Sequence, residues 1–144
     1  MRVYVDTSVL VAAHVREPHT DLAQRWFSEQ SSGLLFSMWA LVECDSALAI
    51  KRRRGELDAA SQAVAINDID TFAARFGPHV LALEADMQRA RVLCRNIDSG
   101  LRAGDALHLA LALRLGASHL ATLDIVLAKN ATAHGIVPAI TLLT

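Results

Sequence analysis

The segment from Asp105 to Leu115, Asp-Ala-Leu-His-Leu-Ala-Leu-Ala-Leu-Arg-Leu, reads as a helix that is apolar on almost every face. Such a helix is enclosed by its own protein rather than laid on its surface, so the rest of the chain has to supply layers that cover it. At 144 residues the chain suits a single domain spanning 1–144, long enough to bury roughly 70% of the surface of its unfolded form. Hydrophobic residues make up 53% of the chain against 20% charged, which excludes intrinsic disorder.

Around this helix, strand and helix signals alternate. Arg2 to Val5 reads as a strand that runs into Asp6-Thr7-Ser8 and then a helix through Val9 to Ala13, stopping near Pro18. Asp21 to Gln30 is a second helix ended around Ser31-Ser32-Gly33, and Leu34-Leu35-Phe36 a short buried strand. Ser37 is placed to cap a helix from Met38 to about Arg53, with Gly55 behind it. Asp58 to Arg75 is helical, His79 to Leu83 reads as a strand, and Glu84 to Asn96 is a helix with Met87, Ala90, Cys94 and Ile97 on one stripe. His119 to Thr122 forms a strand leading to Asp124, then a short helix and a last strand near Ile136-Val137. The alternation predicts an α/β fold, a three-layer α/β/α sandwich around a mainly parallel sheet.

Net charge is -1, so no overall positive field draws nucleic acid indiscriminately. Asp6 interrupts the first apolar run before a secretory core forms, and no stretch reaches the roughly 20 apolar residues of a membrane span, so a cytoplasmic protein with no membrane partner is expected. Cys44 and Cys94 lie outside any C-x-x-C or zinc pattern and read as buried small hydrophobes. Six dispersed histidines favour no zinc site.

Oxygen donors are the richer resource. Asp6 and Asp124 both stand at strand-to-helix junctions, the edge where open parallel sheets gather ligands. Glu43 interrupts an apolar helix, and Asp105 opens the enclosed one, where a carboxylate is costly unless it is paired or ligates a metal. Each also has a plain structural use: Asp6 and Asp124 as helix caps, Glu43 on a solvated face, Asp105 as a first-turn charge facing the helix dipole. Brought together, the four repel one another and call for a divalent cation. An all-oxygen set suits Mg²⁺ or Mn²⁺, which support phosphodiester hydrolysis without a serine, cysteine or histidine nucleophile.

Val3-Tyr4-Val5-Asp6-Thr7-Ser8-Val9-Leu10, Leu41-Val42-Glu43, Leu101 to Ala110 around Gly104-Asp105-Ala106-Leu107-His108, and Ala121-Thr122-Leu123-Asp124 together resemble the PIN-domain nucleases, most closely the VapC-type toxins of toxin/antitoxin modules. The likeness spans essentially the whole chain in order. It implies a metal-dependent endoribonuclease with Asp6, Glu43, Asp105 and Asp124 as the metal site. Ser8 would contact the metal's water shell or the phosphate, and Thr7 is a weaker candidate. It further implies an RNA substrate, a homodimer and a cognate VapB-type antitoxin, with operator DNA met only indirectly through that antitoxin. Ile125-Val126-Leu127 offers no fifth acid after Asp124.

Lys51 to Arg54 ends the third helix, either as solvated cations complementing its dipole or, through Lys51 and Arg52, as a phosphate stripe leading to Glu43. Arg102, just before Asp105, is a candidate substrate contact or a surface ion pair. His108 shares a face with Asp105, one turn on, and reads as a hydrogen-bonded core histidine ahead of a general base. Trp26 and Phe27 read as core or a partner groove. A phospho-aspartyl phosphatase wants an acid where Ser8 stands, and a receiver domain wants an acidic pair at the first strand end; neither pattern is present. The remaining alternative is a non-catalytic antitoxin-binding module acting in complex formation and operator regulation.

Overall fold

The computed structural model describes residues 1–142. Four strands, β1 (Val3–Val5), β2 (Leu34–Leu35), β3 (His119–Ala121) and β4 (Val137–Pro138), form a sheet in the order β2-β1-β3-β4, every pair parallel. The helices are α1 (Thr7–His14), α2 (Thr20–Ser28), α3 (Met38–Arg53), α4 (Ala59–Ala74), α5 (Glu84–Arg95), α6 (Ala103–Arg114) and α7 (Ile125–Ala133). Successive side chains of a strand point to opposite faces, so β1 divides the core. Val3 and Val5 join Val9 and Leu10 of α1, Phe27 of α2, Leu48 of α3 and Ile69 of α4. Tyr4, with Leu120 of β3, packs instead against Leu109 and Leu111 of α6, Leu127 of α7 and Ala90 of α5. The three-layer α/β/α sandwich follows.

Helix α6 is enclosed as its composition requires, with every residue from Ala106 to Ala112 buried. It begins at Ala103, two residues before the expected start, so Asp105 is the third residue of its first turn rather than the first. One buried ion pair ties it to the outer layer. Asp86 of α5 accepts from Arg114 Nε at 2.8 and 3.0 Å and from the Leu83 backbone N–H at 2.8 Å, while Arg114 Nη2 also donates to the Leu81 carbonyl. Replacing Asp86 with alanine strands an N–H and a half-buried guanidinium, and the expected loss in urea denaturation is about 2–3 kcal/mol.

The structure corrects the expectations in four places. His79 to Leu83 is not a strand: only Val80 pairs, in an isolated parallel bridge with Ser37. Beyond Ser37 the neighbouring chain turns into α3, so no further backbone is available to pair with, and Leu81 is left 63% exposed. Cys44 is buried, but Cys94 is exposed. Helix α5 buries small Ala90 toward α6, and the expected stripe opens to solvent on either side of it, with Ile97 92% exposed in the 3₁₀ turn at Ile97–Ser99. The last strand lies one residue later than expected and includes Pro138, which is tolerated because β4 is an edge strand.

Candidate active site

The strand order reverses direction between β1 and β3: from β1 the chain first builds β2 on one side, then returns to place β3 on the other. Ligands of open parallel sheets bind at such a switch point, outside the carboxyl ends of the strands. Here Val5 pairs with Ala121, and the Asp6 backbone N–H donates to the Ala121 carbonyl at 3.0 Å, so the residues after both strands emerge side by side.

Asp6 caps α1, and Asp124 caps α7 by accepting from the Leu127 backbone N–H at 2.8 Å. The capping role and the site role coexist, because a carboxylate offers about four lone-pair sites and a cap uses only one of them. Both residues line one open cleft of about 310 Å³, together with Ser8, Glu43 from the second turn of α3 and Asp105 from the first turn of α6. The cleft therefore gathers the four sequence candidates and Ser8, whereas Lys51, Arg52 and Arg102 do not line it.

Hydrogen bonds hold the acids in place. Asp6 Oδ1 accepts from the Ser8 backbone N–H at 3.0 Å and from Ser8 Oγ at 2.6 Å, and Oδ2 accepts from Thr122 Oγ1 at 2.6 Å. Ser8 Oγ in turn accepts from the Leu123 N–H at 2.9 Å. Ser8 thus bridges Asp6 to the loop after β3, with its hydroxyl already engaged in supporting the site. Glu43 Oε1 accepts from Thr7 Oγ1 at 2.7 Å and contacts His108 Nε2.

Electrostatics follows from this crowding. Burial pushes the Asp105 carboxyl up to about 6, helped by the charges of Asp124, Asp6 and Glu43 and opposed by His108. Burial also raises Asp6 above the usual carboxylate range, against His108 and the hydrogen bonds from Ser8, Thr122 and the Val9 backbone. Glu43 runs the other way: burial opposes its charge, but the hydrogen bond and charge of His108 and the Thr7 hydroxyl outweigh it and hold the carboxyl below its ordinary value. The cleft carries more negative charge than its surroundings neutralise.

Four participants carry signals that the sequence reading did not use. Thr122 stands two residues before Asp124 and is buried, linking the acids of the two strand ends. Tyr4, the inward residue of β1, reaches His108. Glu17 lines the cleft from the α1–α2 connection and pairs with Lys51 at 2.9 Å, which leaves that lysine's side chain only 16% exposed and already engaged. Gly104 places a glycine inside a helix at a cost of about 1 kcal/mol relative to alanine. Arg52 and Arg102 are exposed; Arg102 is the residue at the N-terminal boundary of α6 and makes no side-chain cap.

No three His, Cys, Asp or Glu side chains among the described residues close into a ready-made metal cage. The donor set nevertheless fits a hard cation: it is all oxygen, it is open, and burial together with its charges pushes Asp105 toward protonation. Magnesium keeps several waters and needs only a few carboxylates.

The family model described as the PIN domain matches residues 3–133. The chain belongs to the PIN domain family. Among solved structures, this PIN domain is similar to the Mycobacterium tuberculosis VapC20 toxin, described as cleaving the sarcin-ricin loop, at 18% identity and a TM-score of 0.72, covering 94% of this chain and 96% of that one. It is also similar to FitAcB from Neisseria gonorrhoeae, at 15% identity and a TM-score of 0.70, covering 94% and 95%. No curated protein matches the chain in sequence. At these identities the two structures establish that the PIN fold is shared. No helix among the described residues is long and apolar enough to cross a membrane.

Proposed function

We propose that this PIN domain is a Mg²⁺- or Mn²⁺-dependent endoribonuclease, the VapC-type toxin of a cytoplasmic toxin/antitoxin module. The observation that carries the reading is the convergence of Asp6, Glu43, Asp105 and Asp124 on one cleft with an uncompensated negative charge, at the switch point of the sheet. When bound, the cation lowers the pKa of water, orients it and neutralises charge developing on the phosphate. Asp6, Glu43, Asp105 and Asp124 would hold the cation. The chain's remaining work is positional. Ser8 and Thr122 fix both oxygens of Asp6, and the α6 dipole favours the Asp105 carboxylate at its first turn. RNA as substrate is supported by the family and by the stated activity of VapC20.

Arg102 and Arg52 are proposed contacts for RNA phosphates outside the cleft. Lys51 belongs to that set only when an incoming phosphate displaces Glu17. A homodimer and a VapB-type antitoxin complete the proposed module, with operator DNA reached only through the antitoxin.

The test is cleavage of a structured RNA by the purified, folded protein. Cleavage is expected with Mg²⁺ or Mn²⁺, stops on chelation and returns when metal is restored. A folded protein that cuts no RNA with either metal, or cuts equally in chelator, sinks the reading in favour of the non-catalytic module.

A further inference from the structure

Glu43 is the least anchored of the four acids by backbone position, since it stands mid-helix rather than at a strand end. Its carboxylate is nevertheless held on one side, with both of its side-chain partners on a single oxygen. His108, 1% exposed on α6, touches Glu43 Oε1 through Nε2 and Tyr4 Oη through Nδ1 at 2.8 Å. Tyr4 Oη lies 2.8 Å from Ser37 Oγ, and Ser37 caps α3, the helix that carries Glu43. Both directions of donation satisfy this chain. With a neutral ring Ser37 donates to Tyr4 and Tyr4 to Nδ1; with a protonated ring Nδ1–H donates to Tyr4 and Tyr4 to Ser37; in each the proton on Nε2 faces Glu43. Thr7 Oγ1 donates to the same Oε1 at 2.7 Å and lies 3.2 Å from His108 Nε2.

The other oxygen is enclosed differently. A Cβ at position 104 would stand 2.7 Å from Glu43 Oε2 and 3.7 Å from Trp39 Cζ2, while Trp39 Nε1 donates to the Gly104 carbonyl at 3.3 Å. Real Cβ atoms essentially never stand that close, so a side chain at 104 would push Oε2, the free end of a flexible side chain, out of the room it occupies beside Gly104. Oε2 accepts no hydrogen bond from the described residues.

We propose that His108, oriented by Tyr4 and assisted by Thr7, is a positioning residue that occupies Glu43 Oε1 and reserves Oε2 alone for the cation, with Gly104 preserving the space for it. This rests on the reading of Glu43 as a metal ligand. An outer partner of this kind fixes the rotamer of a ligand before the ion arrives, and its loss weakens metal binding on the order of 10–100-fold.

The experiment is calorimetric titration of the folded protein with Mn²⁺ alone, alongside RNA-cleavage kinetics. His108→Asn keeps the Tyr4 end of the ring but loses the reach to Glu43. His108→Gln places an N–H where Nε2 stands. Thr7→Val and Gly104→Ala probe the remaining contacts away from the buried ring and carry the test if a His108 variant fails to fold. Mn²⁺ affinity is expected to fall on the order of tenfold or more in His108→Asn and Gly104→Ala, to fall less in Thr7→Val, and to return to within roughly threefold of the parent in His108→Gln. At saturating Mn²⁺ the KM for RNA stays unchanged while kcat falls.

A parent that binds Mn²⁺, with binding lost in Asp105→Asn, establishes the site independently. Against that background, parental affinity in folded His108→Asn and Gly104→Ala overturns the positioning role. So does His108→Gln binding no better than His108→Asn. A folded parent that binds no Mn²⁺ overturns both the site and the proposal built on it.

Discussion

Asp105→Asn is expected to reduce metal-dependent RNA cleavage by at least about 100-fold and, in the same protein, to raise the thermal stability of the metal-free form. The two effects share one origin. Burial and the charges of Asp124, Asp6 and Glu43 push the Asp105 carboxyl up to about 6, so at neutral pH its ionised form strains the empty cleft. Removing the charge relieves that strain by about 1–2 kcal/mol once solvent screening and the lost interaction with the α6 dipole are discounted. Removing the ligand takes away the site for the cation. Thermal melts in chelator, paired with cleavage assays, check both halves. An Asp105→Asn protein that is destabilised at pH 7 in chelator shows that Asp105 has another partner and is not strained. Asp6→Asn is a poorer probe, because both of its oxygens accept hydrogen bonds and an amide would face a donor with a donor.

Metal binding is expected to weaken on the order of tenfold for each pH unit below about 6, since the cation must then displace the proton on Asp105. The stability of the metal-free protein changes in the opposite sense. The folded carboxyl lies near 6 against an ordinary 3.8, so between these values the folded state holds more protons than the unfolded chain. Its contribution is complete below 3.8 and is lost as pH rises through about 6. Asp6, also raised, acts in the same direction. Glu43, lowered from 4.5, acts in reverse: its contribution is present above 4.5 and is lost as pH falls through its lowered value. Between pH 7 and 5, therefore, the metal-free protein should gain stability from Asp105 while the stabilisation produced by added Mn²⁺ shrinks. Both trends flatten in Asp105→Asn. An Mn²⁺-induced shift in Tm that is the same at pH 5 and pH 7 contradicts the assignment.

The elements were legible wherever a short pattern decides them. Val3 to Val5 and His119 to Ala121 read as strands because β-branched and apolar residues end at a polar junction, and α6 read as enclosed because it has no polar face. His79 to Leu83 has strand composition, but a strand needs a partner, and partners are tertiary. The stripe on α5 failed for a related reason: period shows which residues share a face, but not which face a neighbour covers, and α6 covers the face of Asp86, Ala90 and Leu93.

The kinds and positions of the four acids are written in the chain: carboxylates after two strands and on two apolar helices announce an oxygen-rich site through local chemistry. Their common location depends on the parallel pairing of β1 with β3 and on the packing of α3 and α6 above that edge. The same is true of which groups support them. Thr7 lies 36 residues from Glu43, His108 a further 65 beyond it, and Thr122 116 residues from Asp6. No periodicity or spacing encodes contacts at such separations, because they form only when the apolar faces of the sheet are covered and the polar groups left at its edge must find partners. Asp105, set apart in the sequence by the helix it opens, illustrates the division: the apolar sequence around it makes its charge costly, and the three acids folded against it determine how costly.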